Sequence, residues 1–292
     1  MKIKKAVITA AGWGTRFLPI TKALPKEMLP VVNRPLIQYC VEEAIDCGIE
    51  LVVIVTAGGK GAIENYFDHS FELETMLRQK GEIALADKIH DVSNKVDLCY
   101  IRQKEQLGLG HAVLTARNIV GEERFLLFLP DDIFELGESM LKDMIKIYDD
   151  YSSNVLAVQR VASEDVSRYG IIEPEKVAER IYKIKRLVEK PLANEAPSNL
   201  AIMGRYCLTP EVFNALENTR PGKNGEIQLT DALQSLIHGR DLYAYQFRGE
   251  RYDAGTPLGW LKTSVALALK MPDIGPELKD YLRHLVADKK GT

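Results

Sequence analysis

Ala6-Val7-Ile8-Thr9-Ala10-Ala11-Gly12-Trp13-Gly14-Thr15-Arg16-Phe17-Leu18-Pro19 begins as a short apolar run and empties into a loop carrying two glycines and an arginine. Such an uninterrupted run suits a strand buried on both faces of a parallel sheet. Glycines directly after it let backbone N–H groups approach phosphate oxygens closely. Arg16, Lys22 and Lys26 follow within reach of one loop. Arg16 offers a planar fork for paired phosphate oxygens, whereas Lys26 is a compact point charge. Pro25 and Pro30 restrict the backbone around Lys26 and hold its ammonium ready. Gly12 and Gly14 alone would equally suit an ordinary turn beside a solvated basic face. The added basic residues favour a polyanionic nucleotide.

This loop is neither of the two common glycine-rich phosphate loops. A dinucleotide fingerprint needs a third glycine at Phe17 and an acid after the second strand, where Ile54-Val55-Thr56-Ala57 has none. That disfavours a nicotinamide-dependent oxidoreductase. No G-x-x-x-x-G-K-[ST] occurs, which excludes a Walker-type loop.

Working outward, strands are predicted at Ala6–Ala10, Leu51–Thr56, Leu98–Arg102 and Phe125–Leu129, with helices over Pro35–Cys47 and His111–Asn118 between them. This alternation implies an α/β fold with a mixed, mostly parallel central sheet flanked by helices. In such sheets ligands sit beyond the carboxyl ends of the strands, where the Gly12 loop and Asp131-Asp132 converge. Residues 60–95 read as charged helical material inserted outside the core. Further strands are predicted at Val155–Arg160, Ile181–Val188, Ala201–Leu208 and Leu242–Phe247. Helices follow at Glu211–Glu217, Gln228–His238, Pro257–Leu269 and Glu277–Ala287. No linker or repeat divides the chain, so a single domain over residues 1–292 is expected. Its C-terminal helices, about 257–292, pack on the core or on another subunit.

The 292 residues carry 38 basic and 41 acidic side chains, a net charge of −3, so nothing draws the whole molecule to nucleic acid or an anionic membrane. An anionic substrate must be met by a local cluster of cations. The chain starts straight into a strand without a secretory signal pattern, and no apolar run nears the roughly 20 residues that span a bilayer. Cys40, Cys47, Cys99 and Cys207 form no C-x-x-C pair, and the five histidines lack zinc-ligand spacing. Reduced thiols, a cytoplasmic location and no structural zinc are therefore expected.

Other constellations gain meaning beside the loop. Leu129-Pro130-Asp131-Asp132 ends an apolar strand with two acids. Acids there often only cap turns, yet beside a phosphate loop Asp131 suits a hard cation such as Mg²⁺. Asp253 precedes a helix and alone reads as a cap. Gln103 carries both a donor and an acceptor at a strand end, which matches the imide edge of uracil or thymine. His111 reads as a helix-entry residue, without the partners of a nucleophile triad. In Val188-Glu189-Lys190-Pro191 a carboxylate suited to sugar hydroxyls adjoins an ammonium suited to a sugar phosphate, although a surface ion pair is the plain reading.

Taken together, these motifs resemble the bacterial UTP–glucose-1-phosphate uridylyltransferases of the sugar-nucleotidyltransferase superfamily, from about Lys5 to Leu269. The resemblance is carried by Gly12–Pro19, Thr21–Pro30, Pro35–Tyr39, Leu107–Val113, Leu129–Asp132, Val188–Pro191 and Gly225-Glu226-Ile227-Gln228-Leu229-Thr230-Asp231-Ala232. Trp13 departs from the leucine or tyrosine more usual there. The resemblance implies a Rossmann-like nucleotidyltransferase fold that binds UTP and glucose 1-phosphate with Mg²⁺, commonly as a homodimer or homotetramer. It implies that Ala11, Gly12, Gln103 and Gly108 hold uracil, with Glu27 near. Gly14, Thr15 and Arg16 would line the triphosphate, and Asp131 and Asp253 would coordinate metal. Gly170, Glu189 and Gly204 would contact glucose, and Lys190 its phosphate.

The sugar-phosphate oxygen is already anionic near neutral pH, so no general base is needed to create the nucleophile. Offsetting the repulsion between two phosphate esters is the larger task, and Arg16, Lys26 and the metal suit it. Direct in-line displacement at the α-phosphorus is expected. The alternatives are the same chemistry with dTTP and a catalytically inactive nucleotide-sugar-binding regulator.

Overall fold

A computed structural model describes residues 2–135, 140–222 and 225–287. The chain opens with β1 (Lys5–Thr9) and the short ladder of β2 (Pro30–Val31) and β3 (Arg34–Pro35), then enters α1 (Leu36–Asp46). After β4 (Leu51–Thr56) come α2 (Gly61–Phe67), α3 (Phe71–Gln79) and α4 (Ile83–Asn94), followed by β5 (Asp97–Arg102). Next are α5 (Leu109–Thr115), α6 (Arg117–Val120), β6 (Phe125–Phe128), β7 (Asp132–Glu135), α7 (Met140–Tyr151) and β8 (Val155–Arg160). The antiparallel strands β9 (Gly170–Ala178), β10 (Ile181–Glu189) and β11 (Leu200–Leu208) precede α8 (Glu211–Asn218) and α9 (Leu229–Leu236). The described chain ends with β12 (Tyr243–Gln246), β13 (Glu250–Asp253), α10 (Pro257–Ala268) and α11 (Gly275–Ala287).

One nine-stranded sheet runs through the molecule in the order β5-β4-β1-β6-β11-β8-β12-β10-β9. Its first four strands are parallel, as the sequence implies. The sheet is mixed because β11 runs antiparallel to both β6 and β8, and β10 antiparallel to β12 and β9. Alternation along β1 divides the core. Ala6 and Ile8 face the layer containing Ile37, Cys40, Val41 and Ala44 of α1 and Met144 and Ile147 of α7. Val7 faces the layer containing Val113 of α5, Phe213 of α8 and Leu233 of α9. A third cluster, Phe17, Leu29, Val31, Leu36, Ile133 and Ala254, supports the basic loop from below.

The predicted strands appear within one or two residues of expectation. The helix expected over His111–Asn118 breaks into α5 and α6 at Ala116. The sequence reading missed β9, whose Pro174 and charged residues do not resemble a central strand. Ile171 near its start also pairs with Ala201 of β11, but the part holding Pro174 pairs with β10 alone, where such residues are tolerated, and the register slips where Pro174 meets Ile184. It also missed the β7–β13 ladder, which carries mostly polar residues outside the main sheet. Residues 60–95 are not wholly peripheral. Ile63 and Phe67 of α2 enter the core, whereas α3 buries no side chain and α4 only Ala86.

Candidate active site

Beyond the carboxyl ends of β1, β5 and β6 lies a cleft of about 400 Å³, lined among others by Ala11, Gly12, Gly14, Thr15, Gln103 and Gly108. Its near wall is the loop after β1. Gly14 sits in the left-handed region (φ 67°), and its carbonyl accepts the Thr21 hydroxyl at 2.8 Å. The far wall is the loop after β5, fastened to the Gly225–Gln228 segment by Ile227 N–H donating to Leu107 O at 2.7 Å and Gly110 N–H to Ile227 O at 2.8 Å. Gly108, at φ 96°, is obligatory on two grounds. L side chains avoid that backbone region, and a Cβ would lie 2.7 Å from Glu226 Cβ.

Gln103 is buried, and its Nε2 donates to Gly108 O at 3.1 Å and to His111 Nδ1 at 2.9 Å. Both amide hydrogens are thus engaged within the chain, leaving Oε1, an acceptor, for any ligand. His111 holds Gln103 in place, consistent with its reading as a structural residue. Glu27 lines the cleft floor fully buried, and its Oε2 accepts Lys60 Nζ at 2.7 Å while Oε1 has no partner among the described residues. Burial outweighs that pairing for Lys60 and lowers its pKa from the ordinary lysine value.

Lys26, Asp131, Asp253 and Arg16 meet at one end of the cleft. Lys26 Nζ donates to Asp131 Oδ2 at 2.9 Å. Burial alone would push the Asp131 carboxyl up, but the Lys26 ammonium and its hydrogen bond outweigh this and hold it below the ordinary range. Gly255 packs between the two acids: a Cβ there would sit 3.1 Å from both Asp131 Oδ2 and Asp253 Oδ1, so the two oxygens are at most twice that distance apart. The Gly255 N–H donates to Asp253 Oδ1 at 2.9 Å, and its carbonyl accepts Arg16 Nη1 at 3.3 Å. The β6–β7 turn and the end of β13 thus bring two carboxylates to opposite sides of Gly255, and such hard oxygen donors suit a divalent cation such as Mg²⁺. Lys22 does not line the cleft.

The adjacent acids Asp131 and Asp132 diverge. Asp132 turns inward, accepting the Gly204 N–H at 3.1 Å and Arg251 Nε at 2.7 Å. Gly204 allows this approach, since a Cβ would lie 2.5 Å from Asp132 Oδ2. Beneath this turn Arg205, wholly buried, donates to Glu43 Oε2 at 2.6 Å and to the carbonyls of Leu129, Gly204 and Asp132 at 3.0, 3.1 and 3.0 Å. Sequence reasoning missed Arg205, Arg251 and Gly255 as supports of the site. Only the pairing of β11 beside β6 and of β13 beside β7 shows what they hold.

Gly170 and Glu189 are register partners across β9 and β10. Glu189 Oε2 accepts the Thr230 hydroxyl at 2.7 Å, and its Oε1 pairs with Lys190 Nζ at 3.0 Å. Lys190 is held at φ 45°, an uncommon conformation for a lysine, with its N–H bonded to Tyr169 O at 3.0 Å. Tyr169 OH in turn donates to Asp253 Oδ2 at 3.4 Å, and Arg168 Nη2 donates to the same oxygen at 2.9 Å. Through Tyr169 the Glu189–Lys190 pair is therefore connected to the two-acid centre.

The nucleotidyl transferase family model matches residues 5–269. UTP–glucose-1-phosphate uridylyltransferase of Staphylococcus epidermidis is 48% identical over 284 residues, covering 97% of this chain and 99% of that protein. The enzyme of the same name from Bacillus subtilis is 48% identical over 285 residues, 98% of each chain. A UDP-glucose pyrophosphorylase complexed with UDP-glucose superposes with a TM-score of 0.84 at 47% identity, covering 92% of this chain and 100% of that one. A UTP-bound UGPase from Acinetobacter baumannii gives 0.90 at 41% identity, over 97% and 99%. With that cleft and this degree of likeness, the chain belongs to the nucleotidyl transferase family, on its UTP–glucose-1-phosphate uridylyltransferase branch.

Proposed function

We propose that this protein transfers a uridylyl group from UTP to α-D-glucose 1-phosphate, releasing UDP-glucose and pyrophosphate. The observation that carries this reading is the clustering of Arg16, Asp131 and Asp253 at Gly255, with Lys26 paired to Asp131, at the cleft and linked through Tyr169 to the Glu189–Lys190 pair. Ala11, Gly12, Gln103 and Gly108 hold the base, where Gln103 Oε1 can accept the imide N–H of uracil. Glu27, buried and paired with Lys60, shapes the floor of the base site. Gly14, Thr15 and Arg16 line the triphosphate. Gly170, Glu189 and Gly204 contact glucose, and Lys190 takes its phosphate. Arg16 and Lys26 offset the repulsion between the two esters and stabilise charge on the transferring phosphoryl group. No side chain needs to remove a proton, because the attacking oxygen is an anion. A Mg²⁺ ion held by Asp131 and Asp253 would supply further charge neutralisation at the phosphates.

The chain works as a single domain, a reading supported by the one sheet that runs through it. A homodimer or homotetramer would cover the apolar side chains that α10 and α11 leave exposed, Leu258, Leu261, Tyr281 and Val286 among them. Four free cysteines, two of them buried, support a cytoplasmic location. Neither nucleic acid nor membrane is a partner in this reading; no helix among the described residues is long and apolar enough to cross a membrane.

A panel of nucleoside triphosphates and sugar phosphates, read by pyrophosphate release with Mg²⁺, tests the assignment. UTP with glucose 1-phosphate should be the fastest pair. Preference for dTTP would favour a thymidylyltransferase, and silence with every pair an inactive regulator. Asp131→Asn should keep the folded state, yet lower Mg²⁺-dependent turnover by roughly 10²-fold or more, the scale of one lost electrostatic partner. An unchanged magnesium requirement in that variant would move the metal role elsewhere.

A further inference from the structure

Away from the cleft, the fold gathers a second group of ligand-type side chains. His69 follows α2, Glu74 lies in the first turn of α3 and His90 on α4. One ligand atom from each lies within 4.8 Å of the others. We propose that His69, Glu74 and His90 form a binding site for a borderline divalent transition-metal ion of the zinc class, separate from Asp131 and Asp253. His69 Nδ1 stands 3.4 Å from Glu74 Oε1, and His90 Nδ1 3.0 Å from Glu74 Oε2. Ligand atoms on a tetrahedral zinc, with bonds of about 2.0–2.2 Å, stand roughly 3.3 Å apart. The two imidazole–carboxylate spacings are therefore close to what an ion requires, and one ligand atom of each residue lies within 4.8 Å of the others.

Hydrogen bonds fix the orientation of the first ring. Asn94 Nδ2 donates to His90 O at 3.0 Å, one helical turn back, which aims its Oδ1 at His69 Nε2, 3.2 Å away. With Oδ1 as the acceptor, the Nε2–H donates to it, and Nδ1 on the other side of the ring faces the Glu74 carboxylate. A carboxamide bonded to the far nitrogen is also the arrangement that orients metal-bound histidines. Ser93 Oγ donates to Asp68 O at 3.0 Å and pins the end of α4 beside His69, so binding need not order the segment first. Two imidazoles and one carboxylate prefer zinc, copper, nickel or cobalt to magnesium. The half-exposed rings leave room for a water as a further ligand. Because α3 and α4 bury so little, an ion shared by these segments would tie the periphery together.

Cobalt titration of the full-length protein in Mg²⁺ buffer tests the proposal, because bound Co²⁺ shows a ligand-field spectrum that Zn²⁺ abolishes on displacement. One equivalent should bind. His69→Ala and His90→Ala should each weaken binding by more than about 10-fold, and Asn94→Ala, which keeps all three ligands, by roughly 10-fold. Zinc should raise the melting temperature of the wild type but not of the double histidine variant. That variant's Mg²⁺-dependent pyrophosphate release reports that it is folded. No bound equivalent in the wild type, or equal binding in wild type and the double variant, would overturn the site. Undiminished binding in Asn94→Ala would overturn the orienting role given to that residue.

Discussion

Lys26→Ala should slow turnover by roughly 10²–10³-fold, the scale seen when one preorganised electrostatic partner is lost. The lysine is the cation nearest Asp131, and its own pKa is raised: burial lowers it, but Asp131 and Glu27 outweigh burial. It is therefore charged throughout the working range, and its removal takes a fixed positive charge from the point where two phosphate esters meet. A second consequence has a definite sign. The ammonium depresses the Asp131 pKa, so in the variant that carboxylate takes up its proton at a higher pH. The acidic limb of the rate profile should then move to higher pH, as a pH series of kcat/KM would record. Near-normal turnover with an unmoved limb would remove Lys26 from the mechanism.

Arg205→Ala should destabilise the fold by about 3–5 kcal/mol, the range for breaking a buried charge pair. The guanidinium has no exposed surface and lies over the rings of Phe128 and Phe134, 4.8 and 4.6 Å from their centroids. Its loss leaves Glu43 without its cation and takes one donor each from the carbonyls of Leu129, Gly204 and Asp132. Urea titration should show a lower midpoint at similar slope. Arg205→Lys keeps the charge but not the planar fork, so its midpoint should lie between the two. A loss below about 1 kcal/mol in Arg205→Ala would show that the clamp is not structural.

Much of this architecture is legible because it is local. A buried strand followed by glycines and basic residues announces a phosphate loop in one window, and Leu129-Pro130-Asp131-Asp132 announces an acid at a strand end. The remainder depends on partners distant in sequence. Asp131 and Asp132 look equivalent on paper; the ladder of β7 with β13 turns Asp132 to Arg251 and leaves Asp131 to Lys26. Arg205 reads as one charge in an apolar strand until β11 is placed against β6, over the carbonyls it serves. Gly255 reads as an ordinary turn glycine until two carboxylates close on it. His69 and His90 show no ligand spacing because a helical hairpin, not a short motif, brings them together. The amide of Gln103 at a strand end offers both a donor and an acceptor on paper, and the structure narrows its role by engaging the donor half with Gly108 and His111.

The most direct measurement mixes excess purified protein with UTP and Mg²⁺ in a rapid-quench apparatus, with and without glucose 1-phosphate. Direct displacement predicts stoichiometric pyrophosphate and UDP-glucose only when the sugar phosphate is present. Pyrophosphate released from UTP alone would reveal a uridylylated protein intermediate, and none under either condition would contradict uridylyl transfer itself.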